Sequence, residues 1–317
     1  MQFITAHADR VTVDGLRWGV EPIRAVLASQ GIPIAASTYY AARAAARVGP
    51  MSAALREAEL IDHIRRVHAA HFGVYGARKV WLSLNREGVP VARCTVERLM
   101  GQLGLVGALR GKVKRTTIAG PAADRPGDLV RRRFDPAAPN RLWVADFTYV
   151  SAWSGWVYVA FVIDAYSRRI LGWRCSTAMT TPLVLDAVEQ AIWTRAQAGV
   201  SDLAGLVHHS DRGSQYGALA MTDRLLSAGI DPSVGATGSS YDNALAETIN
   251  GLYKTELIKR RGPWKTLEQV EIATLEWVDW FNHRRLNSSC DDMPPAELEA
   301  AYYRHHQTRP PAEVSTV

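Results

Sequence analysis

The 317-residue sequence contains little cysteine and no long apolar run. Its three cysteines, Cys94, Cys175 and Cys290, are widely separated, so they form neither a disulfide framework nor the paired spacing of a zinc site. The longest apolar stretch, 156–163, is far too short to cross a bilayer. The first residues also lack the basic and apolar segments of a signal peptide. We therefore expect a cytoplasmic protein.

Charge is moderate in amount and uneven in distribution. Hydrophobic residues make up 47% and charged residues 21% of the chain, as is usual for a globular protein, and the net charge is +6. A single basic cluster is more typical of a solvated linker or helix end than of a binding site. This chain has three such clusters, and they flank a group of acidic residues described below, which favours a polyphosphate ligand. They consist of Arg110, Lys112, Lys114 and Arg115; Arg131, Arg132 and Arg133; and Lys259, Arg260 and Arg261.

The N-terminal third contains a weak repeat, in which residues 23–38 match residues 80–95. Each copy reads as a helix, then Gly-[Ile/Val]-Pro-[Ile/Val]-Ala, then a second helix. Gly31 and Gly88 are expected to end the first helices, and Ser37 or Thr38 and Thr95 to cap the second. This pattern predicts a helix-turn-helix in the second copy and allows one in the first. A small helical bundle without DNA contact is the alternative.

The second half of the chain predicts an α/β domain. Three strand-like segments joined by short turns are followed by alternating helices and strands, which indicates a mixed sheet covered by helices. The last helical segment, 267–285, has an aromatic stripe that is more typical of core packing than of a binding surface.

Three acidic residues stand in unusual places. Asp146 interrupts the apolar run LWVADFTYV, and Asp211 follows the strand-like LVHHS. Glu247 lies in a helical segment, with 35 residues between it and Asp211. A carboxylate in a buried strand is costly unless it is paired or bound to a metal. Three converging carboxylates would form a hard oxygen site for Mg²⁺ or Mn²⁺, of the kind that cuts and joins phosphodiesters.

Each carboxylate also has an ordinary structural interpretation. Asp146 could reach solvent or pair with an arginine, Asp211 could cap a helix, and Glu247 could lie on the wet face of an amphipathic helix. Asp164 is a rival carboxylate, which we assign to a hairpin turn.

The helix of Glu247 carries further polar residues on the same face. Asn243, Asn250 and Lys254 lie four residues before, three after and seven after the glutamate. This arrangement favours one ligand bound along the helix face, with the carboxylate on a metal and the amides and ammonium directed towards phosphate.

Four segments together carry a family resemblance: WVADFTYV, FVIDAYSRRILGW, HHSDRGSQY and SYDNALAETINGLYKTEL. They resemble the integrase-like transposases of bacterial insertion sequences, specifically the second-reading-frame product of the insertion sequence three family. The similarity covers nearly the whole chain. It implies a ribonuclease-H-like core of the type shared with retroviral integrases, the DDE superfamily.

The resemblance also implies the chemistry. Asp146, Asp211 and Glu247 would bind two Mg²⁺ or Mn²⁺ ions, and Lys254 would contact DNA. Water would cleave one strand, and the freed 3′-OH would attack a new phosphodiester. The expected partners are double-stranded DNA (terminal inverted repeats and target), further copies of the chain and an upstream-frame product as fusion or partner. A membrane is not among them, and the DNA-bound protein would be associated with the nucleoid.

We predict five regions on this basis. They are a helical, helix-turn-helix-like segment (1–54), a helix-turn-helix DNA-binding domain (55–110), a basic linker (111–137), an integrase catalytic core (138–262) and a C-terminal helical extension (263–317). The further DNA contacts expected are Asn243, Asn250, Arg93, Thr95, Arg98, Arg110, Lys112, Lys114 and Arg115.

One segment departs from the family pattern. Where the family continues with histidine and Leu-Gly, this chain has Asn287 and Cys290-Asp291. The alternative function is therefore a catalytically silent DNA-binding regulator derived from such a transposase. A plain ribonuclease H or junction nuclease would explain the core but not the helix-turn-helix.

Overall fold

The computed structural model describes residues 2–109, 136–211, 219–234 and 244–307, with only the backbone described for 45–53. The chain divides into two compact units, Met1–Arg66 and Val67–Val317. None of the helices within these described ranges is both long and apolar enough to cross a membrane.

The first unit is helical. It contains α1 (Gln2–His7), α2 (Val20–Ser29) and most of α3 (Ala36–Ala70). Its core is formed by four buried apolar residues, namely Ile4, Ala8, Ile23 and Tyr39. The second unit begins with another helix pair, α4 (Ala77–Arg86) and α5 (Arg93–Gln102).

The predicted repeat is confirmed in the backbone. Helices α2 and α4 are both 10 residues long, and α3 and α5 start at equivalent positions of the two copies. Gly31 and Gly88 follow the first helices with φ of 79° and 80°, a left-handed conformation that favours glycine. Each turn is closed in the same way, since Ile32 N–H donates to Leu27 and Val89 N–H donates to Leu84, both at 2.9 Å.

A side-chain hydrogen bond also recurs in both copies. Arg24 Nε donates to the carbonyl of Ile34 at 2.6 Å, and Trp81 Nε1 donates to the carbonyl of Val91 at 2.9 Å. The two pairs occupy equivalent positions of the repeat. Different side chains therefore perform the same task of holding the turn against the first helix.

The predicted helix caps are wrong. Helix α3 begins at Ala36 and α5 at Arg93, so Ser37, Thr38 and Thr95 lie inside the first helical turn. The extended residue before α5 is Ala92, which has no side-chain oxygen to offer. The turn after the glycine is thus shorter than the capping pattern requires.

The rest of the second unit is built on a five-stranded mixed sheet, as predicted. The strand order is β3-β2-β1-β4-β5. Strands β1 to β3 pair antiparallel, whereas β4 is parallel to both β1 and β5. The strands are β1 (Leu142–Ala152), β2 (Gly155–Asp164), β3 (Ile170–Ser176), β4 (Leu206–Ser210) and β5 (Ile230–Val234). The helices are α6 (Thr181–Gln197), α7 (Leu219–Ser227), α8 (Ala244–Tyr253), α9 (Lys259–Arg261), α10 (Leu267–His283) and α11 (Pro295–Gln307), with a π-helical segment, Lys254–Ile258, between α8 and α9.

Both faces of the sheet are covered. On one face, Trp143 and Ala145 of β1 belong to an apolar cluster with α6. On the other face, Phe161 of β2 contacts the rings of Tyr253 and Trp277, at centroid distances of 5.2 and 6.2 Å. The aromatic stripe of α10 is therefore core packing, as predicted.

Asp164 has the turn role predicted for it. Its carboxylate is fully buried and accepts hydrogen bonds from the backbone N–H groups of Tyr166 and Ser167, both at 3.0 Å. Arg195, also fully buried, bridges Asp164 and Glu299 of α11. This ion cluster ties the hairpin turn to α6 and to the last helix.

The segment that departs from the family pattern is partly packed into the protein. Arg285 makes a buried ion pair with Glu256, with a shortest distance of 2.6 Å. Asn287 caps a short 3-10 helix through its side chain, and Cys290 is buried. Asp292 pairs with Arg78 at 2.5 Å. Asn287 and Cys290 thus contact the surrounding structure, whereas Asp291 is exposed.

Candidate active site

Asp146 is the centre of the candidate site. It lies in β1 opposite Phe161 of β2, and its side chain is half-buried. The backbone N–H of Phe147 donates to Oδ1 at 2.8 Å, and Nδ2 of Asn250 donates to Oδ2 at 2.9 Å. Both carboxylate oxygens are therefore held in place, although neither bond supplies a positive charge.

Sheet register brings Asp211 next to Asp146. The last residue of β4, Ser210, pairs with Ala145 of the parallel strand β1. Asp211 and Asp146 are the residues that follow these two partners, so the aspartates occupy neighbouring positions where β4 ends. Asp211 is exposed, which leaves its carboxylate accessible to a ligand.

Helix α8 supplies Glu247 to the same place. Glu247 is exposed and lies three residues before Asn250, on the same helix face. Because Asn250 is hydrogen-bonded to Asp146, this face is directed at the aspartate. The helix is amphipathic, with Ala246, Ile249 and Asn250 buried, and this burial fixes the rotation of Glu247.

The charges of the other two carboxylates act on Asp146. The pKa of Asp146 is raised from 3.8 to about 8, first by burial and then by the negative charge of Asp211, with a further contribution from Glu247. The N–H of Phe147 and the amide of Asn250 oppose the shift only in part. A site with these properties favours a bound cation, because a cation offsets the repulsion between its acidic groups.

The donor chemistry fits a hard divalent ion, since all three side chains offer carboxylate oxygens. Their arrangement is nevertheless more open than a finished metal site. Among the residues that the structure describes, no group of three or more His, Cys, Asp or Glu side chains is placed to hold a metal ion together. The three carboxylates therefore lie in one region without surrounding a single point.

Lys254 faces the same region. It begins the π-helical segment and is half-buried, with Nζ 4.5 Å from the centre of the Tyr149 ring. Burial lowers the pKa of Lys254, whereas the charge of Asp146 raises it and the charge of Lys259 lowers it. The ammonium is thus close enough to the carboxylates to act on a ligand bound there.

The remaining predicted contacts fall into two groups. On α5, Arg93 and Arg98 are exposed, Thr95 is half-buried, and the Nε of Arg93 pairs with Glu97 at 2.7 Å. The other predicted contacts, Asn243, Arg110, Lys112, Lys114 and Arg115, lie outside the described residues.

Sequence reasoning missed two features of the site. It placed Asn250 on the correct helix face but did not predict the hydrogen bond from Asn250 to Asp146, which depends on how α8 docks on β1. It also missed Tyr149, whose ring lies beneath the Lys254 ammonium. The alternation of side chains along β1 was the only available signal for Tyr149, and it does not indicate which helix residue lies above the ring.

Comparison with known proteins supports the same interpretation. Residues 55–113 match the family model of an HTH-like domain, and residues 136–240 and 228–295 match two models of an integrase core domain. The transposase assigned to insertion sequence element IS986/IS6110 of Mycobacterium tuberculosis is 66% identical over 281 residues, which cover 89% of this chain and 100% of the relative. The chain belongs to the insertion-sequence transposases with an integrase core.

A second relative extends the assignment to another genus. The transposase for insertion sequence element IS629 of Shigella sonnei is 52% identical over 296 residues, which cover 92% of this transposase and 95% of the relative. The resemblance seen in the sequence motifs is thereby confirmed. So is the fold class, an integrase-like mixed sheet preceded by an all-helical region with an HTH-like domain.

Solved structures show weaker similarity to this transposase. A chain of the simian T-cell lymphotropic virus intasome has 15% identity and a TM-score of 0.42, covering 78% of this chain and 76% of that one. The catalytic core domain of BIV integrase has 18% identity and a TM-score of 0.39, covering 53% of this chain and 99% of that one. These values are too low to add to the assignment.

Proposed function

We propose that this transposase cleaves DNA at the ends of its own element and joins the freed strands to target DNA, with Asp146, Asp211 and Glu247 as its metal-binding residues. The family catalyses polynucleotidyl transfer. The observations that carry the residue assignment are geometric. The pairing of Ala145 with Ser210 puts Asp146 and Asp211 at neighbouring positions where β4 ends, and the hydrogen bond from Asn250 to Asp146 directs the Glu247 face of α8 towards them.

The acidic residues would bind divalent cations, Mg²⁺ or Mn²⁺, with two ions expected in each site. When bound, such ions activate the attacking oxygen and stabilise the leaving oxygen of a phosphodiester. The hydrogen bonds from Phe147 and Asn250 would hold the Asp146 carboxylate in one orientation. Lys254 would place its ammonium against a phosphate near the reacting strand and offset its negative charge.

DNA would be held by the helical region as well as by the core. The HTH-like domain contains α5, whose exposed Arg93 and Arg98 would contact phosphates or base edges. The first helix pair has the same turn geometry, and we propose that it is a second helix-turn-helix unit. The boundaries at 54, 110, 137 and 262 are part of this proposal.

The partners proposed are double-stranded DNA with the terminal inverted repeats, target DNA and further copies of the chain. Two element ends must be brought together, so more than one protomer is needed on the DNA. An upstream-frame product could act as a fusion or partner, and co-expression with it would show whether it raises activity.

The test is strand joining by the purified chain, with labelled element ends and Mg²⁺. Asp146→Asn, Asp211→Asn and Glu247→Gln should each lower the joining rate by about a thousandfold, because each ligand contributes several kcal/mol to the transition state. Asp231→Asn, an exposed carboxylate on β5, is the matched control and should keep the wild-type rate.

Two results would oppose the proposal. If the triad variants still join strands at the wild-type rate, the residue assignment is wrong. If the wild-type chain binds element ends but joins no strands, the chain acts as the silent DNA-binding regulator. The contacts of Asn287 and Cys290 support an active chain rather than a silent one.

A further inference from the structure

Three large aromatic side chains are exposed at one end of the β1–β2 hairpin. Tyr149, Trp153 and Trp156 are 51%, 72% and 54% exposed. The rings of Tyr149 and Trp156 meet edge to face, with centroids 5.2 Å apart. Such a concentration of exposed aromatic surface is unusual for a surface turn and marks a binding surface.

Two lysines lie over these rings. Lys254 Nζ is 4.5 Å from the centre of the Tyr149 ring, and Lys265 Nζ is 5.4 Å from the centre of the Trp153 ring. We call Tyr149, Trp153, Trp156, Lys254 and Lys265 the hairpin patch. It alternates flat aromatic faces with positive charge, which are the two elements needed to hold bases and phosphates of an unpaired strand.

Hydrogen bonds hold the hairpin end, which carries the hairpin patch, against a neighbouring segment. The N–H of Trp153 donates to the carbonyl of Trp264 at 2.9 Å, and the N–H of Ser154 donates to the carbonyl of Lys265 at 3.1 Å. Trp264 is buried and its Nε1 donates to the carbonyl of Ile258 at 3.0 Å. The hairpin end is therefore fixed to the segment between α9 and α10, so its rings are presented without a large ordering cost on binding.

The hairpin patch is continuous with the candidate active site through Lys254. The charge of Asp146 acts on Lys254, and the ammonium of the same lysine lies over the Tyr149 ring. A DNA strand whose phosphate reached the three carboxylates would thus meet Lys254 and the Tyr149 ring next.

We propose that the hairpin patch binds unpaired bases of the DNA strand that enters the active site, by stacking them on Trp153 and Trp156 and neutralising their phosphates with Lys254 and Lys265. This inference rests on the proposed function for its biological setting. The contact is tolerant of sequence, because every base has an aromatic face.

Binding is tested with the full chain in buffer without metal, which keeps the test separate from strand joining. The probes are fluorescein-labelled oligo(dT) of about 20 nucleotides and a duplex of the same length, since single-strand sites cover about 4–16 nucleotides. The double variant Trp153→Ala/Trp156→Ala should bind oligo(dT) at least about tenfold more weakly, whereas its duplex affinity should change by less than about twofold.

Two further variants make the result specific. Trp193→Ala removes another exposed tryptophan, 62% exposed on α6, and should leave both affinities unchanged. The double variant Trp153→Phe/Trp156→Phe keeps a ring at each position and should recover most of the oligo(dT) affinity. It also keeps the test decisive if the alanine variant folds poorly.

Three outcomes would overturn the inference. The first is oligo(dT) affinity that survives the double alanine substitution, and the second is an equal loss from Trp193→Ala. The third is a change in oligomeric state, measured by sedimentation velocity, without a change in oligo(dT) affinity. That last result would assign the hairpin patch to contact between copies of the chain.

Discussion

Asp146 carries an electrostatic cost in the metal-free chain, and Asp146→Asn should remove it. Burial and the charges of Asp211 and Glu247 raise the pKa of Asp146 from 3.8 to about 8. At about 1.4 kcal/mol for each pKa unit, the whole shift sets an upper limit of about 6 kcal/mol. Because Asp146 is only half-buried and both acidic neighbours are exposed, solvent screening reduces the expected gain to about 1–3 kcal/mol.

The sign of the pH dependence follows from the raised pKa. An acid with a raised pKa binds its proton more tightly in the folded chain, so the stability of the fold is lost as pH rises from about 4 towards about 8. The variant has no such group. Its advantage over wild type should therefore be largest near pH 8 and shrink towards about pH 5.

The assay is urea unfolding in EDTA, followed by tryptophan fluorescence, at about pH 5 and about pH 8. The variant keeps the acceptor for the Phe147 N–H, and Asn250 can turn its amide to meet the new side chain. Asp231→Asn is the control and should shift stability equally at both pH values. A variant that is less stable than wild type at pH 8 would refute the electrostatic reasoning, as would a gain independent of pH.

Three further substitutions test other parts of the structure. Glu299→Gln should lower the free energy of unfolding by about 3 kcal/mol, measured in urea, because it leaves the buried Arg195 with one fewer negative partner. Asn250→Ala should slow strand joining by about 10-fold to 100-fold, because it frees the Asp146 carboxylate. Asn287→His, which restores the family residue, should not raise the joining rate and should cost about 1 kcal/mol in thermal unfolding, because the present side chain caps a helix.

Each of these substitutions has a matched control, a result that would contradict it, or both. Glu297 lies on the same helix as Glu299 and makes an exposed ion pair with Arg86. Glu297→Gln should lower the free energy of unfolding by only about 0–1 kcal/mol. A comparable loss from both glutamates would contradict the importance of burial. Thr248→Ala, exposed on α8, should leave strand joining unchanged. A large rise in joining by the Asn287 variant would show that the departure from the family does impair activity.

Local pattern predicted much of this fold. The helical period and proline of TPLVLDAVEQAIWTRAQ specify α6 over its full length, and the apolar runs specify the strands. The spacing of Gly31 and Gly88 was enough to identify two equivalent helix pairs. These features depend on residues close in sequence, where backbone preference and side-chain period act directly.

Features that depend on docking could not be predicted in this way. The pairing of Ala145 with Ser210, which brings the aspartates together, joins residues far apart in sequence. The π-helical segment contains Glu256, whose buried partner Arg285 lies 29 residues away. The pattern of apolar residues does not distinguish that segment from an ordinary helix. The ion pair between Glu256 and Arg285 forms only when the chain around α10 packs against the segment.

The central claim is that the three acidic side chains bind the catalytic cation directly, and Glu247→Cys tests it most directly. A thiolate is a poor ligand for Mg²⁺ and accepts softer ions such as Mn²⁺ more readily. The cysteine variant should therefore join strands far more slowly than wild type in Mg²⁺ and recover at least about tenfold in Mn²⁺, relative to the effect of Mn²⁺ on wild type. An unchanged rate in Mg²⁺, or the same low rate in both ions, would contradict the account.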